Sequence, residues 1–177
     1  MITTEIKTSH GTFTATFSER GLAQLEFPSR GNARRKGNPL TRRDATLSPS
    51  DGERDGVRDF RRWHIATARA LKQSLAGKTP KTLPPLDLNS GTEFQRRVWS
   101  ALRKISSGKT RSYTEVASAI GKPKAARAVG SACGANPIPV LIPCHRVLAA
   151  NKKLGGFSGG LNWKKSLLAR EGIAPKD

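Results

Sequence analysis

Cysteine is scarce in this chain of 177 residues, which has two, Cys133 and Cys144. With no CxxC or CxxH spacing around them, they exclude a disulfide framework and a cysteine-rich zinc site. Acidic side chains are also few. Thirteen Asp and Glu face 32 Lys and Arg, a formal charge of +19, which suits a polyanionic partner, nucleic acid above all. Long apolar runs are missing, and nothing approaches the ~20 residues that a membrane-spanning helix needs. Residues 1–9 lack the basic start and apolar run of a secretory leader. Free thiols without such a leader predict a reducing compartment, cytoplasmic or, in a eukaryote, nuclear. Hydrophobic residues make up only 36% of the chain, so part of it is expected to be loop. The length admits one domain or two small ones.

What is present is well punctuated. Residues 2–6, 12–17 and 22–27 alternate polar and apolar between turn residues, which predicts a small antiparallel meander. Residues 28–56 turn to Arg, Lys, Gly, Pro, Ser and Asp and read as a mobile basic loop carrying Arg34-Arg35-Lys36 and Arg42-Arg43. From 57 to 76, Phe60, Trp63, Ile65, Ala66, Ala70, Leu71 and Leu75 recur at mostly helical spacing, and Gly77 ends the pattern. Prolines punctuate residues 79–85, and the boundary between two domains, 1–88 and 89–177, is expected near 83–89. Beyond it, Thr92 with Gln95 and Ser112 with Glu115 are capping-box pairs, each opening a helix. Gly121-Lys122-Pro123 breaks the second helix, and an Ala-rich third is expected over 124–133. Helix, tight turn, helix is the helix-turn-helix pattern.

After Asn136-Pro137 an apolar run, 138–142, leads into Pro143-Cys144-His145-Arg146-Val147. The string Ile142 to Val147, IPCHRV, resembles the active-site signature of the O6-alkylguanine-DNA alkyltransferases. The resemblance extends upstream through Lys122-Pro123-Lys124-Ala125-Ala126-Arg127-Ala128-Val129-Gly130 and Asn136-Pro137. Downstream it takes in Gly155, Ser158-Gly159-Gly160-Leu161 and Leu167-Leu168-Ala169-Arg170-Glu171-Gly172. It runs from about 94 to 173. The implied fold is α+β: a small N-terminal antiparallel sheet with a helix, ribonuclease H-like, and a C-terminal winged-helix-like helical domain with a helix-turn-helix. The implied activity is DNA repair by direct reversal: single-turnover, irreversible transfer of an alkyl group from O6-alkylguanine, and less readily O4-methylthymine, to Cys144. No cofactor or metal is implied. The implied partner is double-stranded DNA bound by a monomer, with cooperativity along the strand left open.

The chemistry explains why these residue types recur together. Displacement at an alkyl carbon wants a soft, strong nucleophile, and thiolate is the best a side chain offers. A free Cys titrates near ~8.5, so the site is expected to favour the anion through a base or dipole. The resemblance implies that His145 is that base, acting through a water, with Glu171 orienting it in a triad-like relay. By the same resemblance Tyr113 hydrogen-bonds the leaving guanine, Ser158 contacts the lesion oxygen, and Asn136 is a structural hinge. The target base must leave the stack, and Arg127 matches the finger that fills the vacated space. Ala125, Ala126, Gly130 and Ser131 make the small face by which that helix enters the minor groove. Pro139 and Gly159 resemble the open-pocket members, which predicts acceptance of O6-benzylguanine. Cys133 reads as a small buried hydrophobe beside the pocket, and His10 and His64 as structural. Two other classes fit the charge: a reader of alkylated bases that transfers nothing, and a basic helix-turn-helix regulator. Neither gives a reason for Cys, His and Glu in this order.

Overall fold

The structure, a computed structural model, describes residues 1–28 and 53–174. The expected basic loop, with its clusters at 34–36 and 42–43, lies almost wholly outside the described residues. The meander forms as expected: β1 (Ile2–Thr8), β2 (Gly11–Ser18) and β3 (Gly21–Glu26) pair antiparallel in the order β1-β2-β3. Alternation places Phe13, Ala15 and Phe17 of β2 on the buried face, as a half-covered strand requires. Helix α1 spans Glu53–Leu75. It begins four residues before the predicted start.

The second half is mostly helical. Helix α2 (Glu93–Arg103) is opened by the predicted capping box: Gln95 N donates to Thr92 Oγ1 at 3.2 Å and Thr92 N to Gln95 Oε1 at 2.8 Å. The two-residue strand β4 (Arg111–Ser112) leads into α3 (Tyr113–Ala119), capped reciprocally by Ser112 and Glu115. Gly121, at φ +72°, turns the chain into α4 (Ala126–Gly134), since only glycine adopts that region without steric cost. Helix α4 starts two residues later than predicted. Strand β5 (Val147–Leu148) pairs parallel with β4 just beyond Cys144, and α5 (Leu161–Arg170) closes the described chain.

Helices α2, α3 and α4 pack on one another. Trp99, 1% exposed, fills their centre and donates its indole N–H to Ala132 O at 2.8 Å. That bond satisfies the one polar atom of the largest core side chain. The apolar core is continuous across the position of the expected domain boundary: Phe13 and Leu22 of the sheet belong to the same cluster as Leu71, Val98, Ile138 and Ile142. Backbone bonds add to this continuity, with Leu22 N to Pro85 O and Asp87 N to Leu22 O at 2.8 Å, and Leu25 N to Pro137 O at 2.9 Å. The segment that carries Cys144 is thus seated directly on the meander. Among the described residues no helix is long and apolar enough to cross a membrane.

Candidate active site

Asn136 organises the approach to Cys144. Its side-chain oxygen accepts from Ile138 N at 3.0 Å, while Nδ2 donates to Ile142 O at 2.9 Å and to Cys144 Sγ at 3.1 Å. One amide therefore closes the loop and also polarises the sulfur. The loop is tightly wound, and Val140 sits at φ +73°, a conformation that a β-branched residue adopts only under constraint. Cys144 starts a single 3-10 turn, Cys144–Arg146, between this loop and β5.

A thiol sealed from solvent could accept nothing from DNA. Cys144 is 3% exposed, and it lines a cavity of about 310 Å³ together with Tyr113, Gly130, Cys133, Phe157 and Ser158. That volume is at the lower end of ordinary ligand sites, about 300–1,000 Å³. Tyr113, Ser158 and Cys133 thus line the same cavity as the sulfur, and so does Gly130, which was expected on the minor-groove face of its helix. The Tyr113 hydroxyl makes no hydrogen bond among the described residues. Burial, and then the two thiols when ionised, push its pKa up, so it remains a donor. Two larger clefts, about 360 and 750 Å³, contain no thiol.

His145 and Glu171 are joined, Nε2 to Oε1, at 3.1 Å, and both side chains are 1% exposed. Burial alone would raise the Glu171 carboxyl, but hydrogen bonds from His145 and Arg146 outweigh it and hold the group below the usual carboxylate range. A carboxylate carries no proton, so Nε2 is the donor. Burial depresses His145, against the pull of Glu171, and the ring is neutral near pH 7. Its Nδ1 is then a bare acceptor, and it is buried without a hydrogen-bond partner. That is the state a base needs.

Burial pushes the Cys144 thiol up, and the hydrogen bond from Asn136 and the charge of Lys164 oppose that rise without reversing it. Desolvation of a small anion thus outweighs one amide and one ammonium, and the neighbouring base is needed to draw off the proton. Cys133 is pushed up to about 12, mainly by burial and then by Cys144, and is inert.

Other expected site residues are dispersed. Arg127 and Ser131 are exposed on α4, whereas Ala125 and Ala126 are half-buried at its start. Pro139 is buried in the loop and does not line the cavity. Gly159 does not line it either; a Cβ there would lie 2.5 Å from the Phe27 ring. At Gly159 the missing side chain leaves room for that ring. His64 stacks on Phe60, and the sequence reading of it as structural agrees with that contact.

Two basic residues escaped the sequence reading. Arg146 is 4% exposed and binds Glu171 through Nε at 3.1 and 3.0 Å and through Nη2 at 2.8 Å, with Nη1 on Ile105 O. Lys164 is fully buried and donates to Val147 O at 2.7 Å, to Gly156 O at 3.3 Å and to Leu154 O. It ties β5 to the segment beside the cavity. Burial pulls its pKa down to about 8, against the attraction of both thiols. The signal was available: Lys164 lies on the same helical stripe as Leu167 and Leu168. A lysine on such a stripe reads as a surface residue by default.

A helix-turn-helix beside a cavity lined by a thiol, with a neutral histidine held by a carboxylate next to it, suits a thiol-based group-transfer protein with a nucleic-acid-binding element. The family model described as 6-O-methylguanine DNA methyltransferase, DNA binding domain, matches residues 93–173. A methylated-DNA–protein-cysteine methyltransferase of Mycolicibacterium paratuberculosis is 48% identical over 128 residues, covering 72% of this chain and 75% of the relative. The structure of the Mycobacterium tuberculosis O6-methylguanine methyltransferase superposes with a TM-score of 0.67 at 35% identity, covering 99% of this chain and 95% of that one. A complex of the M. tuberculosis protein with DNA gives 0.65 at 36% identity, covering 94% and 90%. The chain belongs to the methylated-DNA–protein-cysteine methyltransferase family.

Proposed function

We propose that this protein repairs duplex DNA by taking the alkyl (methyl) group of O6-alkylguanine, and less readily that of O4-methylthymine, irreversibly onto Cys144. The observation that carries the proposal is the sulfur lining a cavity, with the unpartnered Nδ1 of a neutral His145 in the same 3-10 turn. In this reading His145 removes the thiol proton through a water. The sulfur attacks the alkyl carbon, the C–O6 bond breaks, and its electron pair passes into the guanine ring. Tyr113 hydrogen-bonds the ring, and the base departs neutral once the proton is returned. Glu171 holds His145 and stabilises the imidazolium. Atoms and charge balance without a cofactor or metal, and the thioether has no route back to thiol, so each molecule acts once.

Residues 89–177 are the DNA-binding and alkyl-acceptor half in this proposal, and residues 1–88 are its support. The pairing of β4 with β5 beside the helix pair supports the winged-helix-like description, and the sheet with α1 the ribonuclease H-like one. The start of α4, with Ala125, Ala126 and Ser131 around exposed Arg127, enters the minor groove. Its edges are nearly degenerate and suit a search independent of sequence. Arg127 then occupies the place of the flipped base. Intact mass after incubation with a duplex containing O6-methylguanine tests the proposal. The protein gains one methyl group, located on Cys144, and Cys144→Ser binds the duplex without gaining it. Loss of the lesion while Cys144 stays unmodified would refute it.

A further inference from the structure

Cys144 and its partners lie in the second half of the chain, but one wall beside the cavity rests on the first half. Phe157 and Ser158 line the cavity. Phe157 meets His145 edge-on, with centroids 6.5 Å apart and planes at 84°. On its other side it meets Phe27 at 5.7 Å and 69°. Phe27 follows directly after β3, and its ring is also set 4.9 Å from Trp163 and 5.7 Å from Phe13. The chain beyond it is pinned too, because Pro28 seats against Gly11 so closely that a Cβ on the glycine would lie 2.8 Å from it. Gly159 closes over the same ring: a Cβ there would stand 2.5, 2.7 and 2.9 Å from three of its atoms. An isolated surface Phe would swing away from such a methyl group. This ring is held on three sides and cannot.

We infer that Phe27, from the N-terminal sheet, is a positioning residue for the alkyl cavity: it sets the height of the 156–160 segment over Cys144 and thereby the size of alkyl group admitted. The inference rests on the alkyl-transfer reading above. Phe27 itself touches neither sulfur nor lesion. It acts through Gly159, whose lack of a side chain lets the segment descend onto the ring, and through Phe157, which carries the constraint to His145. The N-terminal half would then share in substrate selection, and a change on the sheet would be felt as a change in specificity. General loosening of a packed protein slows all substrates together, whereas a moved wall changes their ratio.

The test uses single-turnover rates with an O6-methylguanine duplex and with free O6-benzylguanine, measured on the full chain as wild type, G159A, F27A and the double variant. G159A is expected to lower the benzyl rate about tenfold or more, and the methyl rate much less, because the added methyl lifts the segment and misplaces the wall. F27A is expected to raise the benzyl-to-methyl ratio about threefold or more. The double variant is expected to recover to within about threefold of F27A, since the ring that the methyl strikes is gone; coupling of this kind is what contacting residues show. Singles whose effects simply multiply in the double variant, or move both rates equally, would overturn the inference. If F27A does not fold, F27L keeps apolar bulk without the flat ring, and the same rescue of G159A is required of it. A wild type that transfers neither group would instead refute the alkyl-transfer reading, so the two failures are distinct.

Discussion

Glu171 accepts from two side chains at once, a neutral imidazole and a guanidinium, all within a few per cent of full burial, and from Gly108 N at 3.4 Å. Removing one partner of such a pair leaves a buried charge uncompensated and typically costs several kcal/mol. Glu171→Gln is therefore expected to lose about 3 kcal/mol at neutral pH, measured by urea unfolding. The pH dependence has a definite sign. The folded carboxyl titrates below its unfolded value near ~4.3, so its contribution is complete above that value and fades as pH falls toward the folded one. The variant should lose stability less steeply on acidification, and an unchanged acid slope would contradict the pairing. Asn136 offers a second residue-level test. Asn136→Asp replaces the amide that faces Cys144 Sγ and Ile142 O with an acceptor facing acceptors. The thiol pKa should rise further, and the pH profile of alkyl transfer should move alkaline with a rate loss of about tenfold per unit.

Element by element, the site depends on how helix ends are locked to one another. Helix α1 stops at Gly77, whose φ is +72° and whose missing Cβ would lie 2.1 Å from Arg170 O at the end of α5. Arg170 Nη1 returns the contact by donating to Leu75 O at 3.1 Å. Gly77→Ala incurs both the left-handed penalty, ~1–2 kcal/mol, and a clash with backbone that only a shift of α5 relieves. We expect a total loss of about 3 kcal/mol, and slower transfer as well, because Glu171 follows Arg170 directly. A loss of stability with an unchanged rate would show that the two ends are uncoupled. Trp99→Phe addresses a different joint. It removes the indole bond to Ala132 O and should cost about 1–2 kcal/mol, with faster amide exchange across α4 as the check.

Across the whole molecule, the charge of +19 makes DNA affinity fall with salt, by about 0.9 logarithmic units per decade for each phosphate neutralised. An Arg127 that merely touches phosphate would, when changed to Ala, lower that slope by about one contact. In the filling role proposed here, the slope stays near the wild-type value while the transfer rate on duplex drops. Transfer from free O6-benzylguanine, which needs no flipping, is retained. Equal loss on both substrates would refute that role.

Much of this was legible from local chemistry. Both capping boxes, the glycine stops and the alternating strands depend on neighbours a few residues away, and the IPCHRV string carried Cys144 and His145 with it. Other features depend on distant parts of the chain meeting, and no local pattern encodes that. Lys164 reads as a surface lysine until β5 and the 154–156 segment close over it. Gly159 reads as a pocket glycine until Phe27, 132 positions earlier by the numbering, occupies the space of its absent side chain. The upward push on the Cys144 thiol was illegible for the same reason, since desolvation is a property of everything packed around a group. The order of residues alone thus determined which groups can react; the folded arrangement decided how dry, how charged and how confined those groups are, because burial sums contributions from the entire chain.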